Sequence, residues 1–273
     1  MKPEILVYTA FTETSRNALQ YACEMAGDRG YTLILVHNYD PPLNYAADAV
    51  AFSSINVSME HTEEKLKEEA LWASRQFPGL EIRHRLTFGT KLANITELLE
   101  EYKIDFLIVG APESQGEFWG WNDAFVEVIN HLPVPTLIIP RTVSYQTIAH
   151  IGFASDYAQP LRQGQLDFIR RIMNAAPAQL HIIHVSVPGK GDIAIRQQHR
   201  AMLEQELHQY HPVYASIENT DVVATIIRYI NAHAIRLLIV IPHRHGIWYS
   251  IFNQSHSKRL TRINHLPIIA LQD

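Results

Sequence analysis

Residues 105–110 read DFLIVG and residues 129–133 read INHLP; residues 236–241 read RLLIVI and residues 263–267 read INHLP again. An earlier pair precedes them, LVHN at 35–38 and IIHV at 182–185. The pieces keep one order in both halves of the chain. Their separation drifts from 147 residues, between 35 and 182, to 131, between 105 and 236. One unit written twice, with loops of different length, gives both the order and the drift. Each apolar run of four to six residues has the length of a buried strand.

Working outward, strands and helices alternate. EILVYT (4–9) reads as a strand. Thr12 follows as a helix N-cap, Ala18, Leu19, Ala22, Met25 and Ala26 recur at helical spacing, and Gly30 ends the helix. YTLILVHNY (31–39) is a strand. The next helix places Leu66, Ala70, Ala73 and Phe77 on one face, with Glu63–Lys67 and Lys65–Glu69 pairs on its outer face. EIRHRLTF (81–88) is a strand, and the following helix turns Leu92, Ile95 and Leu99 inward. DFLIVG is a strand, NDAFVEVINHL (122–132) a helix, and PTLIIP (135–140) closes the unit.

The pattern restarts with IAHIGFAS (148–155). A helix over 160–176, a strand at 180–187, a helix over 195–210 and a strand at 213–219 follow. A helix over 221–235, a strand at 237–242, a helix over 255–266 and a last strand at 267–273 complete the copy. Alternation of this kind demands a mostly parallel sheet with helices on both faces and right-handed crossovers. The expectation is an α/β protein of two tandem, doubly wound domains, 1–143 and 147–273, each large enough for its own core. The short join at RTVSYQT (141–147) predicts close packing of the two, with PTLII (135–139) and PIIAL (267–271) pairing inside one chain.

The 273 residues are 47% hydrophobic and 19% charged, which excludes a disordered chain. A net charge of −5 gives no basic field for nucleic acid or acidic membranes. The single cysteine, Cys23, excludes an intrachain disulfide and a Cys-based metal knuckle, and its place in the first helix reads as core. MKPEILVYTAFTE does not read as a signal peptide, and no apolar run spans a membrane, so the expected location is cytoplasmic.

In such sheets ligands bind beyond the carboxyl ends of the strands, where strand order reverses. The residues there are Thr9, Ala10 and Phe11, His37 and Asn38, and the loop 110–123 in the first copy. The second copy offers Ala154, Ser155 and Asp156, His184 and Val185, and the loop 241–255.

ILVYTAFTETSRNALQYA, DFLIVG and INHLPVPTLII closely resemble the universal stress protein family, and the whole chain is covered as a tandem of two such domains. The resemblance implies an adenine nucleotide alpha hydrolase-like fold. In nucleotide-binding members an Asp ends the first strand and touches the ribose. A loop of form G-x-x-G, nine residues, then G-[S/T] wraps the phosphates, because glycines let backbone N–H groups approach phosphate oxygens.

Both copies depart from that pattern. In the first, Ala10 replaces the Asp, Gly110 is kept, Glu113 takes the second glycine position and Asn122–Asp123 the Gly-Ser pair. Two carboxylates facing a triphosphate each cost on the order of 1 kcal/mol or more. Gly116 and Gly120 offer an alternative alignment of that loop, so Thr9, Asn38, Gly110 and Gly116 are the weaker set of ligand residues. In the second copy Asp156 and Ser255 match the pattern, while Ile241, Arg244 and Gln254 occupy the glycine positions. His243, Arg244 and His245 supply a basic rim instead. The nucleotide set there is Asp156, Val185, His243, Arg244 and Ser255, for ATP or AMP.

Among the 15 histidines, His243-x-His245 with His256 has two imidazoles fit to face one zinc ion, but the local motif has no carboxylate or cysteine, so a solvated loop is expected and no metal site. His37 and His184 are expected to satisfy backbone groups. His131 and His265 repeat as helix C-terminal residues, where imidazole favours the dipole. Phe118, Trp119 and Trp121, and Trp248, Tyr249 and Phe252, form two aromatic loops that suit either a partner surface or lids over an emptied pocket. No GxSxG, HExxH or P-loop motif is present. The expected function is a stress-response binding or scaffold protein with degenerate ATP-binding loops and no catalysis. The alternatives are a nucleotide sensor acting through the second domain and, behind it, a slow hydrolase. No nucleic-acid or membrane partner is expected; a homodimer and an unidentified protein partner remain open.

Overall fold

The computed structural model describes residues 2–40, 49–111, 129, 131–189, 193–242 and 265–272. The chain divides into two compact units, the first ending at Tyr145 and the second resuming at Gln146. The first contains β1 (Glu4–Tyr8), α1 (Glu13–Arg29), β2 (Thr32–Tyr39), α2 (Ala49–Gln76), β3 (Ile82–Phe88), α3 (Lys91–Glu101), β4 (Ile104–Gly110) and β5 (Thr136–Ile139). Its strands run in the order β3-β2-β1-β4-β5, and every pairing is parallel.

The second unit contains β6 (His150–Ala154), α4 (Gln163–Ala175), β7 (Gln179–Ser186), α5 (Ile193–Leu207), β8 (Val213–Glu218), α6 (Val222–Ala232), β9 (Leu237–Val240) and β10 (Ile268–Ala270). Its order, β10-β9-β6-β7-β8, repeats that of the first, again parallel throughout. A mostly parallel α/β fold built twice is thus what the sequence pattern implied.

The local reasons are visible. Thr12 caps α1, accepting from Ser15 N at 3.1 Å while Ser15 Oγ accepts from Thr12 N at 2.9 Å, a reciprocal cap. Gly30 ends the helix at φ 75°, a conformation that suits glycine. Strand β1 is buried along its whole length and β2 at all but one position, as a central parallel strand must be. Asn17 Nδ2 donates to Pro140 O and Val143 O at 2.8 and 2.9 Å, fixing the segment after β5 against α1.

Several details differ from the sequence expectations, among them that Met25 and Phe77 are only half-buried. In α3 the buried pair is Ile95 and Leu98, with Leu92 and Leu99 only half-buried. The helix expected over 195–210 is α-helical to Leu207 and then tightens to one 3₁₀ turn, His208–Tyr210. Glu69 does not pair with Lys65. It is 3% exposed and points inward. The Glu63–Lys67 pair is present at 2.9 Å.

Candidate functional site

Strand order reverses beside β1 in the first unit and beside β6 in the second. The crevice positions are therefore the carboxyl ends of β1 and β4, and of β6 and β9.

In the first unit the described side chains at these strand ends bond to one another. Thr9 is fully buried, and its hydroxyl donates to Glu69 Oε2 at 2.6 Å. Thr9 Oγ1 accepts from Phe11 N at 3.1 Å. Glu69 Oε1 lies 3.1 Å from Arg16 Nε, and the Arg16 guanidinium sits 4.2 Å above the Trp72 ring. Burial pushes the Glu69 carboxyl above its usual range, against the pull of Thr9 and Arg16.

Asn38 is equally committed. Its amide donates to Gly89 O at 3.2 Å, and its Oδ1 accepts from Thr87 Oγ1 at 3.2 Å and from Asn94 Nδ2 at 2.5 Å. Gly110 is required by packing: a Cβ there would stand 2.9 Å from Thr14 C and O and 3.0 Å from Ser15 N, at the start of α1. That explains the residue without a phosphate.

In the second unit Asp156 is half-exposed. Its Oδ1 accepts from Ala158 N at 2.9 Å, an Asx turn. The turn between β6 and α4 is longer than that between β1 and α1, spanning residues 155–162 against 9–12. Val185 is buried, 5% exposed, in register with Ile217 of β8. It occupies the position of Asn38, with no polar side chain to offer.

Both crevices share one construction that sequence reasoning grasped only in part. His37 Nδ1 lies 2.8 Å from Thr9 O, and His184 Nδ1 lies 2.9 Å from Ser155 O. Each Nδ1 is thus the donor, as expected of backbone-satisfying histidines, and each Nε2 is left as an acceptor. An aromatic ring covers each imidazole: Phe11 over His37 at 4.3 Å, Tyr157 over His184 at 4.7 Å. Phe11 and Tyr157 hold φ of 57° and 54°, unusual for bulky residues. Burial holds both imidazoles below the ordinary range.

The second crevice differs in charge. Helix α5 turns His199 toward it, with Nδ1 2.9 Å from Tyr157 O. Arg196 and Arg200 act on His184 as positive charges and Asp156 as a negative one. Arg200 is held by Glu204 at 2.8 Å and by Ser216 Oγ at 3.3 Å. The sequence reading missed these cations. The signal was their spacing of four on a helix entering the same strand ends.

Gly116, His243, Arg244 and Ser255 lie outside the described residues. So do Glu113, Gly120, Asn122, Asp123, His245, Gln254, His256 and both aromatic loops. His131 is helical and exposed, and His265 lies in an exposed turn. Cys23 is fully buried, and burial pushes its thiol up to about 12. Among the described residues no three His, Cys, Asp or Glu side chains gather as metal ligands, and no helix is long and apolar enough to cross a membrane.

A family model, that of the universal stress protein family, matches residues 1–140. The chain belongs to the universal stress protein family. A universal stress protein from Archaeoglobus fulgidus is similar over both units, covering 98% of this chain and 96% of its own, with TM-score 0.63 at 14% identity. A functionally unknown protein from Pseudomonas aeruginosa covers 99% of this chain and 92% of its own, with TM-score 0.56 at 15% identity. Likeness at such identity concerns the fold: both units have the fold of universal stress proteins, in tandem. No curated protein matches it.

Proposed function

We propose that this tandem universal stress protein is a binding or scaffold module without turnover, whose two ancestral ligand crevices have diverged. The first is filled by its own side chains. The second is kept for an anionic ligand, with adenine nucleotides such as AMP or ATP as the class to test. One observation carries this reading. Thr9 and Asn38 have their polar atoms engaged inside the first unit, whereas among the described residues half-exposed Asp156 accepts a hydrogen bond from its own turn, at Ala158 N. Ala10 in place of the family's Asp points the same way.

The proposed ligand set of the second domain is Asp156, Val185 (through its backbone), His243, Arg244 and Ser255, with Arg196 of α5 added from the structure. Thr9, Asn38, Gly110 and Gly116 form the weaker set of the first domain. The domains are proposed to divide between 143 and 147; the pinning of Pro140 and Val143 by Asn17 supports a first domain that runs to that point. A cytoplasmic location belongs to the same reading.

Isothermal titration with ATP, ADP and AMP, with and without magnesium, tests it. At most one site is expected per chain. Two equivalent micromolar sites for magnesium-ATP would contradict the filled first crevice.

A further inference from the structure

Four side chains at the amino-terminal end of the second unit's sheet form a connected network. His150 Nδ1 lies 3.2 Å from His181 Nε2, and His181 Nδ1 lies 3.1 Å from Tyr229 Oη. The Tyr229 ring stacks on His233 at 3.9 Å and 20°. His233 Nδ1 donates to Tyr229 O at 3.0 Å at the end of α6. The His181 ring meets those of His150 and His233 edge-on, at 5.3 and 5.5 Å. His181 is only 4% exposed.

Strand register identifies what stands at these places in the first unit. Glu4 pairs with Thr32 and Leu6 with Ile34; His150 pairs with Gln179 and Gly152 with His181. His150 therefore takes the place of Glu4, and His181 that of Ile34. Helices α3 and α6 correspond in the same way, Tyr229 for Leu98 and His233 for Tyr102. Ile34 and Leu98 are both buried apolar residues. Gly152, in the place of Leu6, leaves room: a Cβ there would already press on Ile183, Leu238 and Ile235 at 3.2–3.3 Å. Two buried apolar positions of one copy have become part of a line of titratable rings in the other.

Such a line holds few protons. Two imidazole nitrogens 3.2 Å apart share one hydrogen; if both carry one, the bond is lost and two cations face each other. His233 brings a third imidazole ring to the same place. The elements packed on His181 present His150 from β6, Val213 from β8, and Tyr229 and His233 from α6. The charged neighbours along the chain, Arg228 and Arg236, are cations, so among these groups no carboxylate offsets the charge. Burial and the two flanking imidazoles hold His181 below the ordinary range.

We propose that the His150–His181–Tyr229–His233 network is a proton-responsive latch confined to the second unit: neutral, it fastens the last turn of α6 to β6 and β7, and uptake of a second proton releases that turn. The test is amide hydrogen exchange of the intact chain between pH 5 and 8, corrected for intrinsic rates. Protection over residues 226–236 is expected to fall about tenfold or more on the acid side, the ratio that corresponds to one unit of pKa difference. The matching first-unit segment, 95–105, should show no such step. His181→Ile, which installs the first unit's residue, should abolish the step. His150→Ala, at a half-exposed strand end, leaves His181 Nε2 without its partner nitrogen and should lose the step as well. A pH-independent profile overturns the proposal, as does a step that survives unchanged in His181→Ile or in His150→Ala.

Discussion

Thr9 and Glu69, sixty residues apart in sequence, share a buried hydrogen bond of 2.6 Å at the mouth of the first crevice. The carboxylate reaches this place from α2 and takes Arg16 as its second partner. Polar groups that would face a ligand are thereby turned on one another.

Removing this carboxylate leaves Thr9 buried without its acceptor. Glu69→Ala is expected to lower unfolding stability by about 1–3 kcal/mol, the usual cost of orphaning a buried polar group. Glu69→Gln keeps an acceptor for Thr9 and relieves the desolvated charge, so it should lose less. Urea denaturation of the two variants checks the order; an equal loss, or a greater one for Gln, contradicts the assigned bond.

Gly110→Ala places a methyl group 2.9 Å from the backbone of Thr14. No flexible side chain is there to give way, so α1 or β4 must shift. A loss of about 1–3 kcal/mol is expected, as for other overpacked sites, read from the same denaturation curves. An unchanged midpoint would mean that the helix does not lie against this strand end.

The pH dependence has a definite sign. His37, His181 and His184 are all held below the ordinary imidazole value, each chiefly by burial. The unfolded chain then binds more protons once the pH falls below about 6.5. The stability they contribute is present above that value and lost as pH falls through the folded values. Glu69 acts oppositely, because its raised value favours the folded state in acid and costs stability as the pH rises through it. Denaturation at pH 7.5 and 5.5 should therefore show the lower midpoint at 5.5. Equal midpoints, or a higher one at 5.5, would contradict the burial of these rings.

The duplication and its alternation were legible because strand runs and helix periods repeat, and parallel strands buried on both faces read as continuous apolar segments. Glu69 was misplaced because spacing of four fits an outer ion pair with Lys65. Yet 66, 69, 70 and 73 fall on one stripe, and a lone carboxylate on the apolar stripe was the available signal. The left-handed turns at Phe11 and Tyr157 were not legible: no local propensity favours them, and they persist through the ring over each histidine and the bonds to Thr9 and Ser155. The His150–His181 pair was hidden for a similar reason, since only strand register joins residues so far apart in sequence.

Asp156→Ala addresses the second crevice. If a nucleotide or another phosphate-bearing anion binds there through the proposed set, the substitution should weaken it about tenfold or more, the scale of one charge-assisted contact. Ala10→Asp makes the converse change in the first crevice and should confer no binding, because Glu69 and Asn38 remain in place. Titration calorimetry on both variants reads the two outcomes. Unchanged affinity in Asp156→Ala would remove that residue from the ligand set.

The most direct measurement is the stoichiometry of magnesium-ATP binding to the intact chain by titration calorimetry. A self-filled first crevice predicts at most one site, and any site that appears should be sensitive to Asp156→Ala. Two micromolar sites per chain, or one that survives Asp156→Ala and is lost on altering Thr9 or Asn38, would contradict it.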